Sequence, residues 1–136
     1  MVILIDTNVI IDFLIAREPF YQPAAQIIEK CASEEVDGYI AFHSLPNIWY
    51  ILRKVPDEIR RDWLEKLCKI LKIATASQEE VLTAIRMKNF KDFEDCLQDR
   101  CAEHVSANYI VTRNTADFET STISAIEPTE LLKKLN

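Results

Sequence analysis

The sequence predicts an α/β protein, a three-layer sandwich around a central, mainly parallel sheet of four to five strands. Two observations lead there. VILI (2–5), YIAF (39–42) and YIVT (109–112) are short continuous apolar runs, the pattern of strands covered on both faces. Between them lie stretches long enough for helices, with apolar residues at helical spacing, and this alternation calls for right-handed crossovers between parallel strands. The 136 residues, 49% of them hydrophobic, suit a single domain, 1–136, with a sizeable core.

The elements follow in chain order. After the first strand, residues 7–16 begin a helix capped by Thr7 or Asp6, with Val9, Ile10, Phe13 and Leu14 on one side. Pro19 and Pro23 bracket a turn, and a second helix runs from about Ala24 to Ser33, ending near Asp37-Gly38. Ser44 follows the second strand as an N-cap for a helix carrying Leu45, Ile48, Trp49 and Leu52. Pro56-Asp57 restarts the chain into an amphipathic helix to about Leu71, with Ile59, Trp63, Leu67 and Ile70 on its apolar face. KIATA (72–76) reads as a third strand, and SQEE (77–80) is a capping box opening the next helix. A helix from about Phe93 to Ser106 precedes the fourth strand, and a fifth near Ser124–Glu127 leads to a last helix after Pro128.

Composition removes several chemistries. Gly38 is the only glycine, so neither a GxGxxG turn nor a phosphate-cradling GxxxxGK[ST] loop exists. No apolar run is long enough to span a bilayer and no basic segment precedes the first one, which predicts neither membrane insertion nor secretion. Cys31, Cys68, Cys96 and Cys101 lack CxxC spacing and read as reduced core residues of a cytoplasmic protein. His43 and His104, the only histidines, have no suitably spaced Cys or His partner for zinc. Ser44 and Ser77 sit at helix starts and outside any G-x-S-x-G elbow. The formal charge of −6 opposes general nucleic-acid coating, yet residues 53–91 hold ten Lys or Arg against six acids, leaving room for a local polyanion site.

In open parallel sheets ligands gather at the carboxyl ends of the strands, where strand order reverses. Asp6 leaves the first strand there, Ser44–Asn47 follows the second, and Thr112-Arg113-Asn114-Thr115-Ala116-Asp117 follows the fourth. A further group comes from the helix KDFEDCLQDRCAEH (91–104), where Phe93, Leu97, Cys101 and Val105 form an apolar stripe and Asp92, Asp95 and Asp99 fall on another side. Like charges at i,i+4 weaken a helix, so Asp95 and Asp99 call for compensation. One reading has Asp92 and Asp95 complementing the helix N-terminus while the others face water. The other has a hard divalent cation, Mg²⁺ or Mn²⁺, held by carboxylates from separate segments.

VILIDTNVIIDF, SLPNIWYIL, DFEDCLQDRCAEH and YIVTRNTADF together resemble the PIN domain, in the order that family uses, and more narrowly its VapC-type toxin components of toxin–antitoxin systems. The similarity runs from Val2 to about Glu130. It implies a PIN-like, Rossmann-like fold and a Mg²⁺- or Mn²⁺-dependent ribonuclease with an acidic pocket at the strand ends. Asp6 matches the family's first acidic ligand, Asp95 the acid of its late helix, and Asp117 the acid near the last strand. Asn114 stands where related sequences can carry an acid, which makes it, with Arg113, a substrate-contact candidate. Thr7, Asn8, Ser44 and Thr112 are candidates to orient ligands or bind water. The chain departs from the family at Asn47, where many active members place a glutamate; an amide adds no charge and cannot act as a base. Asp92 or Asp99 is a candidate to compensate.

The resemblance also implies an RNA substrate, an antitoxin partner and a homodimer. Two other classes stay open: a PIN-fold module without catalysis that binds RNA or an antitoxin, for which Asn47 speaks, and a phosphoacceptor domain, which fits poorly because DTN and TRN stand where that pattern wants adjacent acids and a lysine.

Overall fold

Five parallel strands form one sheet in a computed structural model that describes all residues, Met1–Asn136. Along the chain these are β1 (Val2–Ile5), α1 (Thr7–Leu14), α2 (Tyr21–Ala32), β2 (Asp37–Ala41), α3 (Ser44–Ile51), α4 (Asp57–Ile70), β3 (Lys72–Ala74), α5 (Gln78–Arg86), α6 (Phe93–His104), β4 (Tyr109–Val111), β5 (Ser124–Ile126) and α7 (Pro128–Leu135), with a 3-10 turn at Thr115–Phe118. The sheet order is β3-β2-β1-β4-β5, and every pairing is parallel. The α/β sandwich read from the sequence is therefore the fold, with all five strands present.

Alternation along β1 divides the core. Ile3 and Ile5 face a cluster shared with Val9, Ile10, Ile27, Ile48, Leu67 and Leu131 from α1, α2, α3, α4 and α7. Leu4 points to the other face, against Cys101, Ala102 and Phe118. Each of these fully buried β1 side chains contributes roughly 2 kcal/mol by leaving water.

Several local expectations give way. Helix α2 begins at Tyr21 and takes Pro23 into its first turn, where the missing N–H would have had no helical partner. Gly38 lies inside β2, not in a turn: a Cβ there would stand 2.5 Å from Cys31 Sγ and 2.7 Å from Leu71 Cδ2, so the lone glycine marks the close approach of the sheet to α2 and the end of α4. Ser44 is not an N-cap, since His43 holds that position and the serine hydroxyl is used elsewhere. On α6 Cys101 and Ala102 pack on the sheet with Leu4, Ala41 and Ala74, Val105 alongside, while Cys96, Gln98 and Asp99 are buried against α5, α3 and the segment before β5, and Phe93 is left 51% exposed. The cysteines are all free, but Cys68 is exposed while the other three are buried. Helices α1, α2 and α6 are followed by left-handed residues at Ala16, Glu34 and Ser106, positions that most proteins give to glycine.

Candidate active site

From β1 the chain works outward to β2 and β3, then crosses back through α5 and α6 to place β4 on the other side of β1. The reversal falls between β1 and β4, and the Asp6 N–H donates to the Val111 carbonyl at 2.9 Å just where both strands end. A crevice at their carboxyl ends is the geometric consequence.

Asp6 leaves β1 in extended geometry and caps α1, its Oδ1 accepting from the Thr7 N–H at 2.8 Å. Its Oδ2 accepts from Thr112 Oγ1 at 2.9 Å, with Asn8 Nδ2 at 3.5 Å. Thr112 is fixed in turn by accepting from the Asn114 N–H at 3.0 Å and Asn8 Nδ2 at 3.3 Å. Only 6% of Asp6 is exposed. Burial pushes its carboxyl up to about 6, the Thr112 and Thr7 hydrogen bonds oppose that, and the charges of Glu94 and Asp117 add to it. Asp95, on the first turn of α6, is pushed up to about 7 by burial and by the neighbouring Asp6, Asp92, Asp117 and Glu94.

These groups line one cavity of about 340 Å³, together with Thr7, Asn8, Arg17, Arg113 and Asn114. Asp92 reaches its rim while also capping α6, accepting from the Glu94 N–H at 2.8 Å. Thr112 and Ser44 stand behind the lining: the Ser44 hydroxyl accepts from Thr7 Oγ1 at 2.9 Å and from Gln98 Nε2 at 2.7 Å, tying α1, α3 and α6 together beneath the acids.

Two candidates lie elsewhere. Asn47 is half-buried on α3 and does not line the cavity. Asp99 is 1% exposed and accepts from Arg100 Nη2 at 2.8 Å and from Ser121 Oγ, because its register on α6 points it toward the segment before β5 instead of toward Asp6. Arg113 does reach the cavity but is not free: its Nε donates to Asp12 Oδ2 at 2.6 Å, and its guanidinium lies 4.0 Å from the Phe20 ring centroid.

Sequence reasoning missed Glu94, Arg17, Asp12 and Gln98. Glu94 lines the cavity, and its Oε1 is buried without a hydrogen-bond partner. Its placement beside Asp95 in DFED was the available signal. Asp12 had another, a carboxylate on the helix turn after an otherwise apolar VII run.

Carboxylates with no nitrogen or sulfur donor among them are the set a hard cation prefers. No three acids here converge closely enough to chelate one ion. A Mg²⁺-type ion nevertheless suits the donors, since it retains several waters and needs only one or two direct carboxylates.

The PIN domain pattern matches residues 2–116. The sequence is 25% identical over 138 positions to Ribonuclease VapC1 of Aquifex aeolicus (strain VF5), an alignment covering 98% of this chain and 95% of that one. In fold it is similar to VapBC2 from Rickettsia felis, solved bound to a DNA fragment from their promoter, with a TM-score of 0.68 at 15% identity over 93% of this chain and 98% of the other. VapBC-1 from nontypeable Haemophilus influenzae gives a TM-score of 0.68 at 17% identity over 95% and 99%. With the pattern spanning most of the chain and the acids gathered at the switch point of its parallel sheet, this protein belongs to the PIN domain family.

Proposed function

We propose that the chain is a divalent-metal-dependent ribonuclease that hydrolyses RNA phosphodiester bonds, acting as the toxin of a toxin–antitoxin pair. The observation that carries this reading is the convergence of Asp6, Glu94, Asp95 and Asp117, from three chain segments, on one cavity at the sheet's switch point. The relative named a ribonuclease supports the chemistry, and the likeness to VapBC assemblies supports an antitoxin partner.

Asp6, Asp95 and Asp117 would hold a hydrated Mg²⁺ or Mn²⁺ ion, one or two of them directly and the rest through its waters, with Glu94 adding the negative charge that Asn47 does not supply. When bound, such an ion lowers the pKa of a coordinated water and stabilises charge on a phosphoryl oxygen. The chain's own part is preorganisation. The Thr7 N–H and Thr112 hydroxyl each hold one Asp6 oxygen, so the carboxylate keeps one orientation and donates its remaining lone pairs to the cavity. Arg17 and Arg113 are the cations on the lining, held near Asp12, and they would offset the charge of a scissile phosphate in the cavity. No histidine is needed for proton transfer, and none lines the cavity.

Cleavage of a panel of structured RNAs, tRNAs included, tests this with Mg²⁺ or Mn²⁺ and with EDTA, using wild type beside identically purified Asp95→Asn. Metal-dependent cleavage confined to wild type is the expected result. Equal background from both proteins, with RNA or metal still bound by wild type, would replace the enzyme with a binding module.

A further inference from the structure

A second cavity, of about 460 Å³, opens beside the acidic one between the turn before α2 and the start of α7. Its volume lies in the range of small-ligand sites. Its walls are the rings of Pro19, Phe20, Pro23 and Pro128, with Asp12, Arg113, Glu127 and Thr129 as its polar lining. Arg113 also lines the acidic cavity, so one guanidinium borders both. The buried Asp12 carboxylate fixes that side chain through Nε at 2.6 Å and Nη2 at 3.3 Å, and the guanidinium lies over Phe20, a residue still 37% exposed. Glu127 occupies the N-cap position of α7 but makes no side-chain capping bond, which leaves its carboxylate open to a ligand.

We infer that this cavity is a nucleobase subsite for the nucleotide next to the scissile phosphate, an inference that rests on the ribonuclease reading. Flat, rigid aromatic and proline surfaces suit a planar base, and base stacking on aromatic side chains is tolerant of sequence. A guanidinium shared with the acidic cavity sits where the phosphate joining the two sites would pass. Glu127 accepts but cannot donate when ionised, so it takes an N–H on the base edge, whether an exocyclic amino group or a ring N–H, and gives no partner to an edge that only accepts.

The test is binding of five-nucleotide RNAs to Asp95→Asn protein in Mg²⁺, by fluorescence anisotropy, with a single abasic site or 2-aminopurine moved through each position. One position is expected to matter: the abasic site there weakens binding by about tenfold, as loss of one stacked base does, and 2-aminopurine there is quenched. Adding Phe20→Ala should abolish the difference between intact and abasic RNA, and Phe20→Trp should keep it. The exposed Glu127→Gln change should shrink the gap between intact and abasic RNA at the same position and leave the fold untouched. Equal affinity at every abasic position, or an equal loss for intact and abasic RNA in Phe20→Ala, overturns the subsite and points to an apolar side chain of a protein partner as the occupant. If wild type fails to cleave RNA while the position-specific stacking persists, the ribonuclease reading falls and the base subsite stands.

Discussion

Two groups of carboxylates meet opposite electrostatic fates, one buried and paired, the other gathered at the cavity from buried Asp6 to exposed Asp117. Asp12 and Asp99 are each 1% exposed, and each has found an arginine: Arg113 for Asp12, with Arg17 at 3.9 Å, and Arg100 for Asp99. Asp6, Glu94, Asp95 and Asp117 make no ion pair with any side chain. Burial and mutual repulsion instead push Asp6 up to about 6 and Asp95 up to about 7. A paired acid holds the fold together, whereas a sheltered acid without a cation stores repulsion that only an incoming positive group relieves. Asp6 is buried as Asp12 and Asp99 are, and what tells it apart from them is the neighbour.

Substitution should separate the groups sharply. Asp6→Asn and Asp95→Asn are expected to lower RNA cleavage by about 100-fold or more, each removing a preorganised charge from the reacting centre, as read from single-turnover rates in saturating Mg²⁺. Asp99→Asn should instead leave Arg100 and Ser121 facing a neutral amide. Urea unfolding should then show a loss of about 3 kcal/mol, with metal affinity unchanged. Converting one group into the other is a further test: Arg113→Ala deprives Asp12 of its main partner and should cost about 2 kcal/mol, less than a full unpairing because Arg17 remains. The double variant with Asp12→Asn should recover part of that loss, and strict additivity would sink the pairing argument.

The pH dependence has a definite sign. Asp6 and Asp95 bind protons more tightly in the folded chain than in the unfolded one, so their contribution is fully present below about pH 4 and is lost as pH rises through about 6 and about 7. In EDTA, wild type should therefore lose thermal stability across that window while Asp95→Asn loses less, and Mg²⁺ should raise the Tm of wild type more at pH 8 than at pH 5. A metal-free Tm that climbs from pH 5 to pH 8 for wild type but not for Asp95→Asn would contradict the stored repulsion. The smallest effect belongs to Asn47→Ala, which should change the cleavage rate less than about threefold, since Asn47 lies off the cavity.

Much of this was legible in the residues. VILI, YIAF and YIVT marked three parallel strands because short apolar runs alternating with helical stretches suit a sheet covered on both faces, with Phe42 and Thr112 falling just past the strand ends. The capping box at Ser77 and Glu80 forms as spaced, with Ser77 Oγ accepting from the Glu80 N–H at 3.2 Å. Asp6 at the end of the first run was legible as a costly charge. The orientation of α6 was not: its hydrophobic pattern is weak, and the stripe through Phe93 gave way to a face of small residues that fits the sheet more closely. Glu94 was hidden for the same reason, since a one-residue change in helix rotation decides whether position 94 or 99 shares the cavity with Asp95.

The amino-acid sequence by itself determined the alternation of strands and helices, the absence of glycine-built phosphate loops, and the placing of acids where β1 and β4 end, because periodicity, composition and chain order are local properties. Only the tertiary structure decided which acids stand without a cation. Asp12 and Asp99 look no different from Asp6 and Asp95 along the chain, and what separates them is an arginine 101 positions away in one case and one position away in the other. Coulombic partnership depends on distance through the folded chain, and that distance exists only after the sheet has closed β4 against β1.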